Sequence, residues 1–136
     1  MKYVLDTNAV SALMRGDAGV VQRLRKTSKS AVMLPQPVIA EIAYGIERLP
    51  RSKRRQMLQM RFEWILQELP RVAWTDEVSL RFGSVKSALE RRGERIEDID
   101  AAIAAHALAE EAVLVTANVR HLARVPGLKI EDWSLE

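Results

Sequence analysis

Four short, largely apolar runs punctuate the chain, each too brief to be a buried helix. They are Tyr3-Val4-Leu5, Ala31-Val32-Met33-Leu34, Arg71-Val72-Ala73-Trp74 and Ala112-Val113-Leu114-Val115-Thr116. A consecutive apolar run, with no polar alternation, is what a strand looks like when both its faces are covered. Between the runs lie longer segments whose apolar residues recur at helical spacing. Strands that alternate with helices from end to end predict an α/β fold, a three-layer α/β/α sandwich with a mostly parallel central sheet. Right-handed crossovers then put helices on both faces.

The helical segments carry their own boundaries. Thr7, Asn8 and Ser11 lead into a helix with Val10, Leu13 and Met14, stopped by Gly16; Asp17 can cap a second helix with Val20, Val21 and Leu24. Pro35 and Pro37 mark a helix start, where the missing amide proton costs nothing. Val38, Ile39, Ile42, Ile46 and Leu49 follow at helical spacing, with Glu41 among them. Over 52–69, Leu58, Phe62, Ile65 and Leu69 form a stripe, which Met57, Met60 and Trp64 are expected to broaden. Val78, Phe82, Val85 and Leu89 make the next stripe. Asp98 is expected to cap an alanine-rich helix, and a turn at 118–123 and an edge strand at 128–130 close the chain.

With 136 residues, no repeats and no Gly-, Ser- or Pro-rich linker, the chain is expected to form one domain, 1–136. Its 48% hydrophobic and 29% charged content excludes a disordered chain. It has no cysteine, which excludes disulfide frameworks, thiolate zinc sites and cysteine nucleophiles. No apolar run approaches the ~18–20 residues of a membrane span, and Asp6 interrupts any secretory leader, so a cytoplasmic location without membrane contact is expected. The net charge of +3 is compatible with a polyanionic partner and does not establish one.

In an open parallel sheet, chemistry collects beyond the carboxyl ends of the strands. Asp6 directly follows the first strand; Thr116 and Asn118 follow the strong late strand. Glu41 lies on the helix after the second strand, and Asp100 in the first turn of the alanine-rich helix. Each has an ordinary reading alone: Asp6 or Asn118 as a helix cap, Glu41 as a surface residue, Asp100 as a complement to a helix dipole. Together they place oxygen donors from distant parts of the chain at element boundaries. Converging carboxylates repel, so at least one pKa rises unless a cation is present. All-oxygen ligation suits Mg²⁺, with Mn²⁺ as a substitute, rather than zinc. A carboxylate-held metal in a basic protein suits phosphodiester cleavage.

Three segments carry a resemblance: VLDTNAVSALMRG at 4–16, PVIAEIAYGIERLP at 37–50 and DAAIAAHALAEEAVLVTANVRHLARVPGLKIEDW at 100–133. In order and spacing they resemble the PIN-domain ribonucleases, specifically the VapC-type toxins of bacterial toxin–antitoxin pairs. The resemblance implies that Asp6, Glu41 and Asp100 are the catalytic and metal-site acids. The family often has a fourth acid where this chain has Asn118, which offers a carbonyl oxygen without charge. It tends to have an acid and then Phe at the places of His121 and Leu122. Thr7, Asn8 and Thr116 would orient carboxylates or phosphate by hydrogen bonds, and His121 would support the site by facing RNA or the metal's outer shell. The resemblance further implies a Mg²⁺-dependent endoribonuclease, a homodimer and a cognate antitoxin protein that blocks the site. Single-stranded RNA loops are the expected targets, initiator transfer RNA among them.

Two rivals remain at this level. A haloacid-dehalogenase-like phosphatase needs a second Asp where Asn8 stands. A catalytically silent RNA- or protein-binding module on the same fold is the other. The basic runs Arg51, Lys53, Arg54, Arg55 and Arg91, Arg92, Arg95 are either solvated helix faces or RNA contacts. Trp64, Trp74 and Trp133 are stacking candidates, Trp64 being assigned to core or dimer interface.

Overall fold

The computed structural model describes residues 1–134. Five strands, β1 (Tyr3–Leu5), β2 (Val32–Pro35), β3 (Arg71–Val72), β4 (Val113–Val115) and β5 (Ile130–Glu131), form one sheet in the order β3-β2-β1-β4-β5. Every pairing is parallel. The three-layer α/β/α expectation is met. From β1 the chain adds β2 and β3 on one side, then returns to place β4 and β5 on the other. The order therefore reverses between β1 and β4, and at such a switch point the crossovers diverge and leave a crevice at the strand ends.

Among the described residues seven α-helices connect the strands: α1 (Thr7–Arg15), α2 (Ala18–Arg25), α3 (Gln36–Glu47), α4 (Lys53–Glu68), α5 (Asp76–Arg91), α6 (Asp98–Ala109) and α7 (Val119–Leu122). Val4, Leu5, Leu114 and Val115 are buried on both faces of the sheet. Ala101 to Ala105 and Ala107 of α6 are buried too. Their small side chains let α6 lie close against β1 and β4, which fixes the height of Asp100 above the strand ends. Gly16 ends α1 at φ 77°, a left-handed position that favours glycine. Gly19 has no room for a side chain: a Cβ there would stand 2.7 Å from the Trp133 carbonyl oxygen.

Some expectations need correction. The third strand spans only Arg71–Val72, because Ala73 and Trp74 leave the sheet before the Thr75 cap of α5. Asp98 is the first residue of α6 rather than its cap; Glu97 precedes the helix and makes no capping bond, while Asp98 pairs with Lys86 at 2.9 Å. The α4 stripe is narrower than expected: Phe62 and Ile65 are buried, while Met57, Met60 and Trp64 face solvent. Trp64 is thus no core residue. Trp133 is no stacking platform either, being buried at 1% exposure with its ring edge-on to Tyr3.

Candidate active site

Asp6 ends β1 and caps α1, and both roles orient its carboxylate. Its backbone amide still donates to Val115 of β4 at 2.9 Å, so the residue sits inside the crevice between the two strands. Oδ1 accepts from the Thr7 amide at 2.7 Å. Oδ2 accepts from the Thr116 hydroxyl at 2.8 Å and from the Asn8 amide at 3.2 Å. The Thr116 hydroxyl in turn accepts from Asn8 at 3.0 Å and from the Asn118 backbone amide at 3.0 Å. One donor and two acceptor positions exhaust what a hydroxyl can do. Asn8 closes the ring, its Oδ1 accepting from the Ala117 amide at 2.9 Å. The Asp-Thr-Asn start of α1 and the Thr-Ala-Asn end of β4 are thereby one hydrogen-bonded unit across the switch point.

The other two acids arrive on helices. Glu41, on α3, accepts a hydrogen bond from the Thr7 hydroxyl. Asp100, one turn into α6, faces His121 of α7 with 3.5 Å between Oδ2 and Nε2. Arg124 holds that histidine. Its side chain donates to Nδ1 of His121 at 2.9 Å, to the His121 carbonyl at 2.8 Å and to the Arg95 carbonyl at 2.8 Å. An arginine only donates, and Nη2 of Arg124 lies 2.9 Å from Nδ1 and 3.3 Å from Nε2 of the ring, so Arg124 fixes the face that His121 turns toward Asp100.

The three carboxylates feel one another. Burial pushes the Asp6 pKa up, the Thr116 and Thr7 hydrogen bonds work against this, and the charges of Asp100 and Glu41 add to the rise. Burial also raises Asp100; His121 opposes the rise and Glu41 adds to it. This is the electrostatic signature of a site short of positive charge. Among the described residues no three His, Cys, Asp or Glu side chains form a ready cage for an ion. A hydrated Mg²⁺ does not need one, since it commonly takes one or two carboxylates and keeps several waters. The all-oxygen donors and their excess negative charge fit such an ion.

Of the eight residues singled out from the sequence, Asp6, Thr7, Asn8 and Thr116 lie at the ends of β1 and β4, Glu41 midway along α3, Asp100 in the first turn of α6, Asn118 just before α7 and His121 within it. Asn118 is exposed, and its side chain makes no capping bond to α7. Sequence reasoning missed Arg124, which lies three residues past His121, the spacing of one helical turn. It also missed Glu94, whose carboxylate stands 3.7 Å from Arg124. The second histidine, His106, is unconnected to this cluster: it is buried, bonded to the Ala102 carbonyl at 2.8 Å, and desolvation lowers its pKa. No helix of the described residues is long and apolar enough to cross a membrane.

The sequence matches the PIN domain over residues 3–128. It is 31% identical to the Ribonuclease VapC2 of Rickettsia felis, with 98% of each chain covered. It is 26% identical to the tRNA(fMet)-specific endonuclease VapC of Salmonella typhimurium, again over 98% of both. Among solved structures, VapBC2 from Rickettsia felis bound to a DNA fragment from its promoter superposes with a TM-score of 0.88 at 29% identity, covering 98% of this chain and 99% of the other. The DNA-bound VapBC of Salmonella typhimurium superposes with a TM-score of 0.87 at 25% identity over 98% of each chain. PIN-domain ribonucleases generally depend on a divalent metal ion. Fold and sequence agree, and the chain belongs to the PIN domain family.

Proposed function

We propose that this chain is a Mg²⁺-dependent endoribonuclease, the toxin of a VapBC-type pair, acting on single-stranded loops of RNA. The observation that carries the reading is the buried Asp6 at the switch point, electrostatically coupled to Glu41 and Asp100. Asp6, Asp100 and Glu41 are the residues that would hold the ion, with Asn118 offering a neutral oxygen beside them. When bound, Mg²⁺ or Mn²⁺ polarises a phosphoryl oxygen and lowers the pKa of a water.

The chain's own part is positioning. Thr116, Asn8 and the Thr7 amide fix both oxygens of Asp6, so its carboxylate is spent on no other rotamer. The Thr7 hydroxyl fixes Glu41. His121, aligned by Arg124, stands 3.5 Å from the Asp100 carboxylate and limits the positions it can take. The reaction is hydrolysis: water adds to phosphorus, the bond to the ribose 3′ oxygen breaks, and a 3′-hydroxyl and 5′-phosphate result. No side chain of the site acts as nucleophile.

The named substrate of the Salmonella relative makes initiator transfer RNA the first RNA to try. Structures of relatives as VapBC complexes support a cognate antitoxin as partner. Met57, Met60 and Trp64, left in solvent by α4, are apolar surface that a partner protein would cover. We further take residues 1–136 as one domain, working as a homodimer in the cytoplasm. The test is cleavage of initiator transfer RNA by the purified chain with Mg²⁺, with chelator and Asp6→Asn as controls. Cleavage lost in both controls supports the reading. RNA binding without any cleavage means a silent binding module instead.

A further inference from the structure

A second cleft shares Glu41 with the site. It has a volume of about 440 Å³ and opens between α1, α3 and α4, with Thr7 and Glu41 at one end. Its floor is apolar, including Ile42, Ile46 and Leu58; Arg15, Arg48 and Arg54 stand around it, with Tyr44 alongside. Glu41, Tyr44 and Arg48 share one face of α3, being three and four residues apart. Tyr44 is 68% exposed, an unusual position for so large a ring, and the Arg48 guanidinium lies 5.7 Å from its centroid.

Among the described residues Arg15, Arg48 and Arg54 pair with no carboxylate, as do seven other arginines of the chain; what marks these three is that they stand around one cleft. Arg54 is also placed against helix electrostatics. It sits with Lys53 and Arg55 in the first turn of α4, which has no acid there, although the amides of a helix start repel positive charge. Helix stability does not account for that placement.

We propose that this cleft is a nucleotide-binding subsite for single-stranded RNA, in which Tyr44 stacks on the base next to the cleaved phosphodiester and Arg15, Arg48 and Arg54 hold the flanking phosphates. It rests on the nuclease reading of the acidic site. An apolar floor with an exposed aromatic ring takes a base face without regard to sequence, and a cationic rim takes the backbone. The cleft on the opposite side of Glu41 gathers Glu90, Glu97, Asp98 and Asp100 against Lys86 and Arg95, so it takes a phosphate only with a cation between them and is the poorer place for the flanking backbone.

The experiment measures binding of a labelled eight-nucleotide single-stranded RNA to the full chain in chelator, and Mg²⁺-dependent cleavage in parallel. Tyr44→Ala should weaken binding by between about five- and a hundredfold, the range found for removing a stacking ring. Tyr44→Phe should stay within about twofold, since it keeps the ring. Arg54→Gln should weaken binding and reduce the dependence of log affinity on log salt by about 0.7, one phosphate contact on a single strand. Arg81→Gln, on α5 away from the cleft, is the charge control and should change neither. In cleavage, Tyr44→Ala should raise KM and leave kcat nearly unchanged. If a folded Tyr44→Ala binds and cuts like the parent, the subsite is overturned and the nuclease reading stands. If Tyr44→Phe loses as much as Tyr44→Ala, the ring face is not the contact and the stacking assignment is overturned. If the parent neither binds nor cuts RNA, both readings fall.

Discussion

Two clefts meet at Glu41 and have opposite characters. The one toward α6 and α7 collects Glu90, Glu97, Asp98 and Asp100 against Lys86 and Arg95. The one toward α1 and α4 has three arginines and, among the described residues, Glu41 as its only acid. On the acidic side, Asp98 and Asp100 sit at the start of α6, where the helix dipole favours them. On the basic side, Arg15 ends α1 and Arg48 caps the C-terminus of α3, again with the dipole; only Arg54 runs against it. Most of this charge separation therefore follows from which helix ends the sheet order brings together. A polyanion crossing the site meets attraction on one side and, on the other, carboxylates that tolerate it only with a cation between them.

The largest test of this contrast is to neutralise its centre. Asp6→Asn keeps the size of the side chain and an oxygen for the Thr7 amide, yet removes the charge that all three acids share. Cleavage should fall by at least about a thousandfold, roughly 4 kcal/mol of barrier, with an unchanged circular dichroism spectrum. Glu41→Gln and Asp100→Asn should follow with about a hundredfold each. Near-parental rates in a folded Asp6→Asn chain would mean that the acidic side is not where the chemistry occurs.

How much of this was legible beforehand differs between the two clefts. The acidic site was readable because its residues sit at strand ends, and runs such as Val113-Leu114-Val115 announce a buried parallel strand without any knowledge of packing. Asp6 and Thr116 were then tied together once β1 and β4 proved adjacent. The basic cleft was not readable. Arg54 stood out as part of a charged run, but its neighbourhood with Glu41 depends on how α4 docks against α1 and α3. The exposure of Met57, Met60 and Trp64 was missed for a related reason: a wide apolar stripe says nothing about which part of it the sheet reaches. Arg124 was missed because its partners, the His121 ring and carbonyl, the Arg95 carbonyl and the Glu94 carboxylate, are brought together only by the fold.

A second test separates holding a carboxylate from supplying one. Thr116→Val is isosteric but leaves Oδ2 of Asp6 without its 2.8 Å donor and the Asn118 backbone amide without its acceptor, while the Asn8 amide keeps only its 3.2 Å bond to Asp6. Metal affinity and cleavage should drop by about ten- to a hundredfold, as for other residues that orient ligands. Thr116→Ser restores the hydroxyl and should recover most of the loss; equal loss in both variants would remove the positioning role.

Proton linkage tests the same acids without RNA. The pKa values of Asp6 and Asp100 are raised in the folded chain, burial being the first cause of each. The folded state then binds these protons more tightly than the unfolded state. Their contribution to stability is fully present below the ordinary value of 3.8 and is lost as pH rises through the folded pKa. In chelator, the melting temperature of the parent should therefore fall relative to Asp6→Asn as pH is raised from about 4 to 7. Mg²⁺ should close that gap by binding the folded parent preferentially. A gap that is independent of both pH and Mg²⁺ would show that the carboxylates do not share a cation.

The smallest expected effect belongs to Asn118, and its direction matters more than its size. It is exposed, its side chain makes no cap bond, and only its backbone amide is tied into the Thr116 ring. Asn118→Ala should therefore change cleavage by less than about threefold, because the backbone contact survives. Asn118→Asp adds a fourth carboxylate at the mouth of the crevice. In chelator that charge can only add repulsion to Asp6 and Asp100, so the apo chain should melt slightly lower. In Mg²⁺ the same charge should tighten metal binding, read as a lower Mg²⁺ concentration for half-maximal cleavage. Opposite signs with and without metal are what a ligand position produces. A change of the same sign in both conditions would place Asn118 outside the metal's reach, leaving the site to Asp6, Glu41 and Asp100.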